Sequence, residues 1–207
     1  MPPTGPGHLQ ASAQTALSVP LRYAEAGSSL AQAALAGARG FEVLRHYPAQ
    51  DVVDASAGTR FYYHAHRLDS PEHGHFHLFV DADADGGTMH LVALSLDRCG
   101  LPLRWFTTNR WVTGGCWLPA TRLIPHLRHW RVRTGGRLAP VARWLTAMVT
   151  LYHDELSQLL QVRDARLAAR WQGRHGAARE AVFEDRSLDV VGECPALLAP
   201  KIAQLAH

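Results

Sequence analysis

The segment RFYYHAHRLDSPEHGHFHLFVD, residues 60–81, decides how this chain is read. Side chains of a β-strand alternate between its two faces. Read as strands, Arg60–Arg67 and His73–Asp81 each carry imidazoles on one face and apolar groups on the other. His64 and His66 share a face with Tyr62, and His73, His75 and His77 share one with Phe79. For Tyr63 and Ala65 to join Phe76, Leu78 and Val80 in one apolar layer, odd residues of the first strand must oppose even residues of the second. That parity also sets His64 against His77 and His66 against His75. Hydrophobic and histidine patterns demand the same pairing, and a one-residue slip would break both.

Two further runs, Thr88–Asp97 and Pro102–Asn109, extend the pattern, with Asp- and Gly-bearing turns at residues 81–87 and 97–102. Pairing Val80 with Met89 sets Phe79 against His90 and His77 against Val92. Pairing Leu96 with Leu103 sets Leu94 against Trp105 and His90 against Asn109. One face then collects Phe61, Tyr63, Phe76, Leu78, Val80, Met89, Leu91, Ala93 and Phe106. The other collects Tyr62, His64, His66, His75, His77, His90, Thr107 and Asn109, edged by Phe79 and Trp105. The expected fold is α+β: a four-stranded antiparallel meander with helices packed on one face and a histidine-rich pocket on the other.

The helices are read from the flanks. Residues 22–46 are rich in Ala and Leu, and Pro48 ends them. Pro119–Trp130 reads as a short basic helix. Pro140–Trp171 reads as one long helix, because Val141, Leu145, Met148, Tyr152, Leu156 and Leu159 recur at steps of three and four. A last helix is expected over Ala196–Leu205. Residues 1–20 are rich in Pro, Gly, Ser and Ala and are expected to form a flexible arm, leaving 21–207 as a single α+β domain.

With 207 residues, 47% hydrophobic and 19% charged, the chain has the composition of a globular protein. No apolar run is long enough to span a membrane and no leader pattern opens the chain, so a cytoplasmic location is expected. Of 21 basic residues only Lys201 is lysine, which reads as coding bias. The Arg- and His-rich stretch 122–137 carries no nucleic-acid fold signature, so a solvated helix face is expected, not a nucleic-acid partner. Cys99, Cys116 and Cys194 are too scattered for a disulfide framework or a cysteine zinc site. Asp81-x-Asp-x-Asp-Gly opens like a calcium loop, but its twelfth position is Val92, where a bidentate Glu belongs, so a hairpin turn is expected.

Histidine is the outlier: 13 in the chain, five of them within residues 64–77. Neutral imidazole suits Zn, Cu, Fe and Ni. Two His-x-His pairs on adjacent strands can bring three or four nitrogens to roughly 2 Å from one point. The candidate metal ligands are His64, His66, His75 and His77, with Glu72 or His90 in reserve. Glu72 would complete a two-His, one-carboxylate set for iron. Tyr62, Arg110 and Asn109, the only asparagine in the chain, are candidate catalytic residues that would position substrate or orient ligands.

The motifs Tyr62-Tyr-His-Ala-His-Arg, Glu72-His-Gly-His-Phe-His-Leu-Phe and Asn109-Arg-Trp-Val-Thr together resemble an uncharacterised bacterial domain-of-unknown-function family, over about residues 46–165. The resemblance implies no activity. It implies only that the three motifs belong together.

The residues lead to an expectation of a metal-dependent enzyme, an oxidoreductase acting on a small organic molecule at a multi-histidine site. The cofactor would be a transition metal ion, iron or copper before zinc. Two alternatives stand beside it: a metal- or haem-binding protein without chemistry, and a metal-free enzyme using His as general acid and base. No membrane partner is expected, and a homodimer is left open.

Overall fold

The computed structural model describes residues 5–66, 70–81 and 87–205. The sheet has six strands, not four: β1 (Tyr47–Asp54), β2 (Thr59–His64), β3 (Glu72–Asp81), β4 (Thr88–Asp97), β5 (Pro102–Thr108) and β6 (Val190–Pro195). They lie in sequence order and every neighbouring pair is antiparallel. The two added strands are the edges. β1 carries Pro48, and its pairing with β2 shifts between Tyr47 and Val52. Proline is tolerated at an edge, where half the backbone N–H groups face no neighbour. β6 is short and holds Gly192 opposite Thr107. A Cβ on Gly192 would stand 3.2 Å from a Leu159 methyl, so the strand lies close under the helix that carries Leu159.

The helices are α1 (Pro6–Glu25), α2 (Leu30–Ala34), α3 (Arg110–Thr113), α4 (Ala120–Leu127), α5 (Ala139–Leu151), α6 (His153–Trp171), α7 (Ala177–Phe183) and α8 (Leu198–Gln204). The long helix expected over 140–171 is two helices that meet at Tyr152. All six of its stripe residues are nonetheless buried. The main core joins Phe61, Tyr63, Phe76 and Trp105 of the sheet to Trp144 of α5 and Leu156 of α6. A smaller cluster of Leu167, Val182, Phe183 and Val191 packs with Trp117 and Trp171.

The flexible arm expected over residues 1–20 is a helix from Pro6 onward, and residues 1–4 lie outside the described ones. Pro6 sits in the first turn, where its missing N–H costs nothing. Pro20 lies inside α1 and cannot donate to the carbonyl of Ala16 four residues earlier. The Trp144 indole supplies that hydrogen bond, with Nε1–H donating to Ala16 O at 3.2 Å. Ala16 and Val19 are buried against the core, so the helix is held by packing that composition did not reveal.

Among the described residues no helix is long and apolar enough to cross a membrane. The turn expected at 81–87 falls largely on residues 82–86, outside the described ones.

Because Pro20 creates the carbonyl that Trp144 satisfies, the two residues should be coupled. Trp144→Phe should lower the unfolding free energy by about 1–3 kcal/mol through the orphaned buried acceptor. In a Pro20→Ala background the restored backbone N–H should remove most of that loss. Urea denaturation of the four chains of this double-mutant cycle checks it.

Candidate functional site

The pairing of β2 with β3 has the expected parity, offset by two residues. Tyr63 opposes Phe76 and Phe61 opposes Leu78 in the core, while His64 opposes His75 and Tyr62 opposes His77 on the other face. Val80 meets Met89 and Phe79 meets His90 as expected, but Leu91 is then an extra residue. This bulge changes the faces of everything after it. Val92 and Leu94 join the core, and Ala93 opposes His77. The correction passes to β5. Trp105, expected at the pocket edge, opposes Leu94 in the core, and Phe106, expected in the core, opposes Ala93 and lines the pocket. Thr107 turns away from the pocket and Thr108 takes its place in the wall.

The imidazoles form the floor of a cleft of about 610 Å³. His64, His75 and His77 each offer a ligand nitrogen, and these atoms lie within 4.8 Å of one another. All three residues are buried. His64 Nε2 and His77 Nε2 are 3.1 Å apart. Two nitrogens on a tetrahedral ion at 2.0–2.1 Å stand about 3.3 Å apart, so this pair already has that spacing. His77 Nδ1 lies 3.0 Å from His90 Nε2, and His90 Nδ1 lies 3.2 Å from Thr108 Oγ1.

Glu72, just outside the strand expected over His73–Asp81, is the first residue of β3. Its Oε1 lies 2.5 Å from His75 Nδ1. Burial pushes the Glu72 carboxyl up, but the His75 hydrogen bond and charge and the Arg104 guanidinium outweigh it, and the net shift is downward. A carboxylate only accepts, so His75 Nδ1 carries the hydrogen. In the neutral ring Nε2 is then a lone pair, and this buried atom has no hydrogen-bond partner among the described residues. Arg104 is shared between Glu72 Oε2, at 3.6 Å, and Glu193.

Burial, then the neighbouring His75, His66 and His46, lower His64 to about 2. Burial, then Arg163 and His75, lower His90 to about 3. His77 is driven well down by burial and then by the surrounding histidines. These rings are therefore neutral and hold lone pairs for hydrogen bonds or an ion.

The remaining expected site residues divide. Tyr62 lines the cleft, and the His46 ring stacks on it at 3.7 Å between centroids. Burial, with Asp51 adding to it, raises the Tyr62 phenol. His66 is exposed at the cleft, 4.8 Å from His64 and 5.2 Å from His75 between ring centroids. It is not part of the three-nitrogen group, nor are Glu72 and His90, which contact its members instead. Asn109 and Arg110 do not reach the cleft. Asn109 is fully buried, caps α3 by accepting from Arg110 N, and donates to Val182 O. Arg110 is engaged by Glu180 and Glu184 on and beside α7. Sequence reasoning missed His46, Arg104 and Thr108. Only Thr108, next to an expected pocket residue, had a signal.

An antiparallel α+β fold with a buried trio of histidines under an open cleft is the class of protein this geometry defines. The chain belongs to the family described as Domain of unknown function (DUF6969), which matches residues 10–196. That span takes in α1 through β6, well beyond the three motifs. No curated protein and no solved structure matches the chain.

Asn109 should therefore behave as a structural residue. Asn109→Ala should cost about 1–3 kcal/mol of stability by uncapping α3 and removing the buried amide hydrogen bond to Val182 O, which would keep only its longer bond from Asp185 N. It should leave metal uptake by the folded protein unchanged, and thermal melting beside metal titration checks both.

Proposed function

We propose that this protein is a metal-dependent enzyme acting on a small organic molecule, with His64, His75 and His77 holding the ion. The single observation that carries this reading is the convergence of three buried imidazoles at the floor of the cleft, one of them with an orphaned Nε2. Burying a polar atom without a partner costs free energy, and an ion at this point would offset that cost. A carboxylate–histidine pair beside a ligand nitrogen is the usual means of fixing a metal-bound imidazole.

A three-ligand site keeps a coordination position open for substrate or water, which favours catalysis over sequestration in a saturated site. Aromatic walls from Tyr62, Phe106 and Trp111 suit an organic ligand. An all-nitrogen set fits copper, iron and zinc. Copper or iron would make the protein an oxidoreductase, and zinc would make it a Lewis-acid enzyme. The reading places the protein in the cytoplasm and gives no role to membrane or nucleic acid.

Untagged protein analysed by plasma mass spectrometry should carry about one equivalent of a transition metal per chain. A His64→Ala, His75→Ala double variant should carry none. Wild-type protein that takes up no iron, copper or zinc after anaerobic reconstitution would sink the reading. Glu72→Ala should weaken binding of the same metal by about 10–100-fold, and Glu72→Gln, which keeps an acceptor for His75 Nδ1–H, by less. Competition against a chromophoric chelator measures both.

A further inference from the structure

His77 has no exposed surface, and both of its ring nitrogens are engaged. A continuous chain of contacts runs from His64 Nε2 to His77, from His77 Nδ1 to His90 Nε2, and from His90 Nδ1 to Thr108 Oγ1. Each nitrogen–nitrogen contact at hydrogen-bond distance holds one hydrogen, and a neutral imidazole has one donor and one acceptor. The chain can therefore be ordered in two senses only. In the first, Thr108 donates to His90 Nδ1, His90 Nε2–H donates to His77 Nδ1, and His77 presents Nε2–H to His64. In the second, His77 Nδ1–H donates to His90 Nε2, His90 Nδ1–H donates to Thr108 Oγ1, and the His77 Nε2 lone pair accepts from His64 Nε2–H, a hydrogen that would pass to His64 Nδ1 when an ion takes its place between the two rings.

Only the second sense leaves His77 Nε2 able to bind an ion. We propose that His90 and Thr108 are positioning residues for the centre: they hold His77 as its Nδ1–H tautomer and so aim its Nε2 lone pair at the metal. This inference rests on the metal reading given above. It gives His90 a defined role outside the ligand group. The centre then has two outer supports, Glu72 behind His75 and His90 with Thr108 behind His77. Both act through Nδ1 of the ring they hold, and both leave Nε2 for the ion.

Histidine-selective 15N NMR on the full chain loaded with zinc(II) reads the tautomer directly. The expected result is a His77 ring protonated at Nδ1 and metal-bound at Nε2. A zinc-loaded His77 bound through Nδ1 would overturn the proposal, and this readout needs no variant. Zinc affinity, measured by chelator competition, supplies the second arm. His90→Leu should weaken binding by about 10–100-fold, since it leaves the buried Nδ1–H without an acceptor. His90→Gln should recover part of the loss, because its amide oxygen can accept that hydrogen. Thr108→Val should weaken binding less than His90→Leu. Affinity of a folded His90→Leu chain within about twofold of wild type would also overturn the proposal, where an outer-shell loss of at least tenfold is expected. Wild-type protein that binds no zinc, iron or copper removes the metal reading and this inference with it. Wild-type binding with His90 variants that make no difference removes this inference alone.

Discussion

The pairing of β2 with β3 holds the rest of the structure in place. Tyr63 against Phe76 and Phe61 against Leu78 put four large apolar rings and chains on the side of Trp144. The intervening residues must then face the other way, which brings Tyr62, His64, His75 and His77 together in tilted and edge-on contacts. A slip of one residue would turn the slipped strand over, sending its histidines to the side of the tryptophan and its apolar residues to the cleft. The hydrophobic core thus brings the histidines together without help from any attraction between them. Gly74 tightens the same register. A Cβ there would stand 2.6 Å from the His64 carbonyl and 2.7 Å from the Tyr63 hydroxyl, so β3 approaches β2 more closely than a side chain would allow.

What the sequence disclosed follows from this constraint. Parity is a property of alternation, so the faces of β2 and β3 were legible. The offset of two residues was not, because a shift by two preserves every face. The bulge at Leu91 was also invisible: Leu91, Val92, Ala93 and Leu94 are all small or aliphatic and fit either side. That one extra residue exchanged Trp105 and Phe106 between core and cleft. The edge strands escaped for a different reason. β1 and β6 have a neighbour on one side only and can carry Pro48, Gly192 and Pro195, residues that read as breakers in a central strand. The N-terminal helix was hidden by prolines whose effects are met locally, Pro6 by its place in the first turn and Pro20 by the Trp144 indole.

The candidate site was legible as a cluster and illegible as a hierarchy. Spacing identified His64, His66, His75 and His77, with Glu72 and His90 in reserve, but it could not separate His66 from the other three or give the reserves their places. Rank depends on which nitrogen of which ring faces which neighbour. Glu72 is three residues from His75 and reaches back to its Nδ1. His90 lies beyond the Leu91 bulge and meets His77 Nδ1. Asn109 drew notice as the only asparagine in the chain, yet its amide is spent on capping α3 and on Val182 O. Rarity in composition carried no information about exposure to the cleft.

The position of Glu72 governs the chemistry of the proposed centre. A carboxylate bound to the ion would cancel part of its charge. Here the carboxylate is spent on His75 Nδ1–H and on Arg104, and Arg104 is itself shared with Glu193. His64 and His77 are neutral and no carboxylate belongs to the three-nitrogen group, so an ion held there would keep most of its charge for whatever enters the open position. That favours polarising a bound group, or holding an anionic one, over merely retaining the metal. The negative charge would reach such an ion only through the His75 ring, where it would strengthen the nitrogen as a ligand without neutralising the metal. In the proposed centre retention and reactivity would thereby fall to different groups: the outer carboxylate and the His90 chain would hold the rings, and the rings would leave the charge available to the cleft.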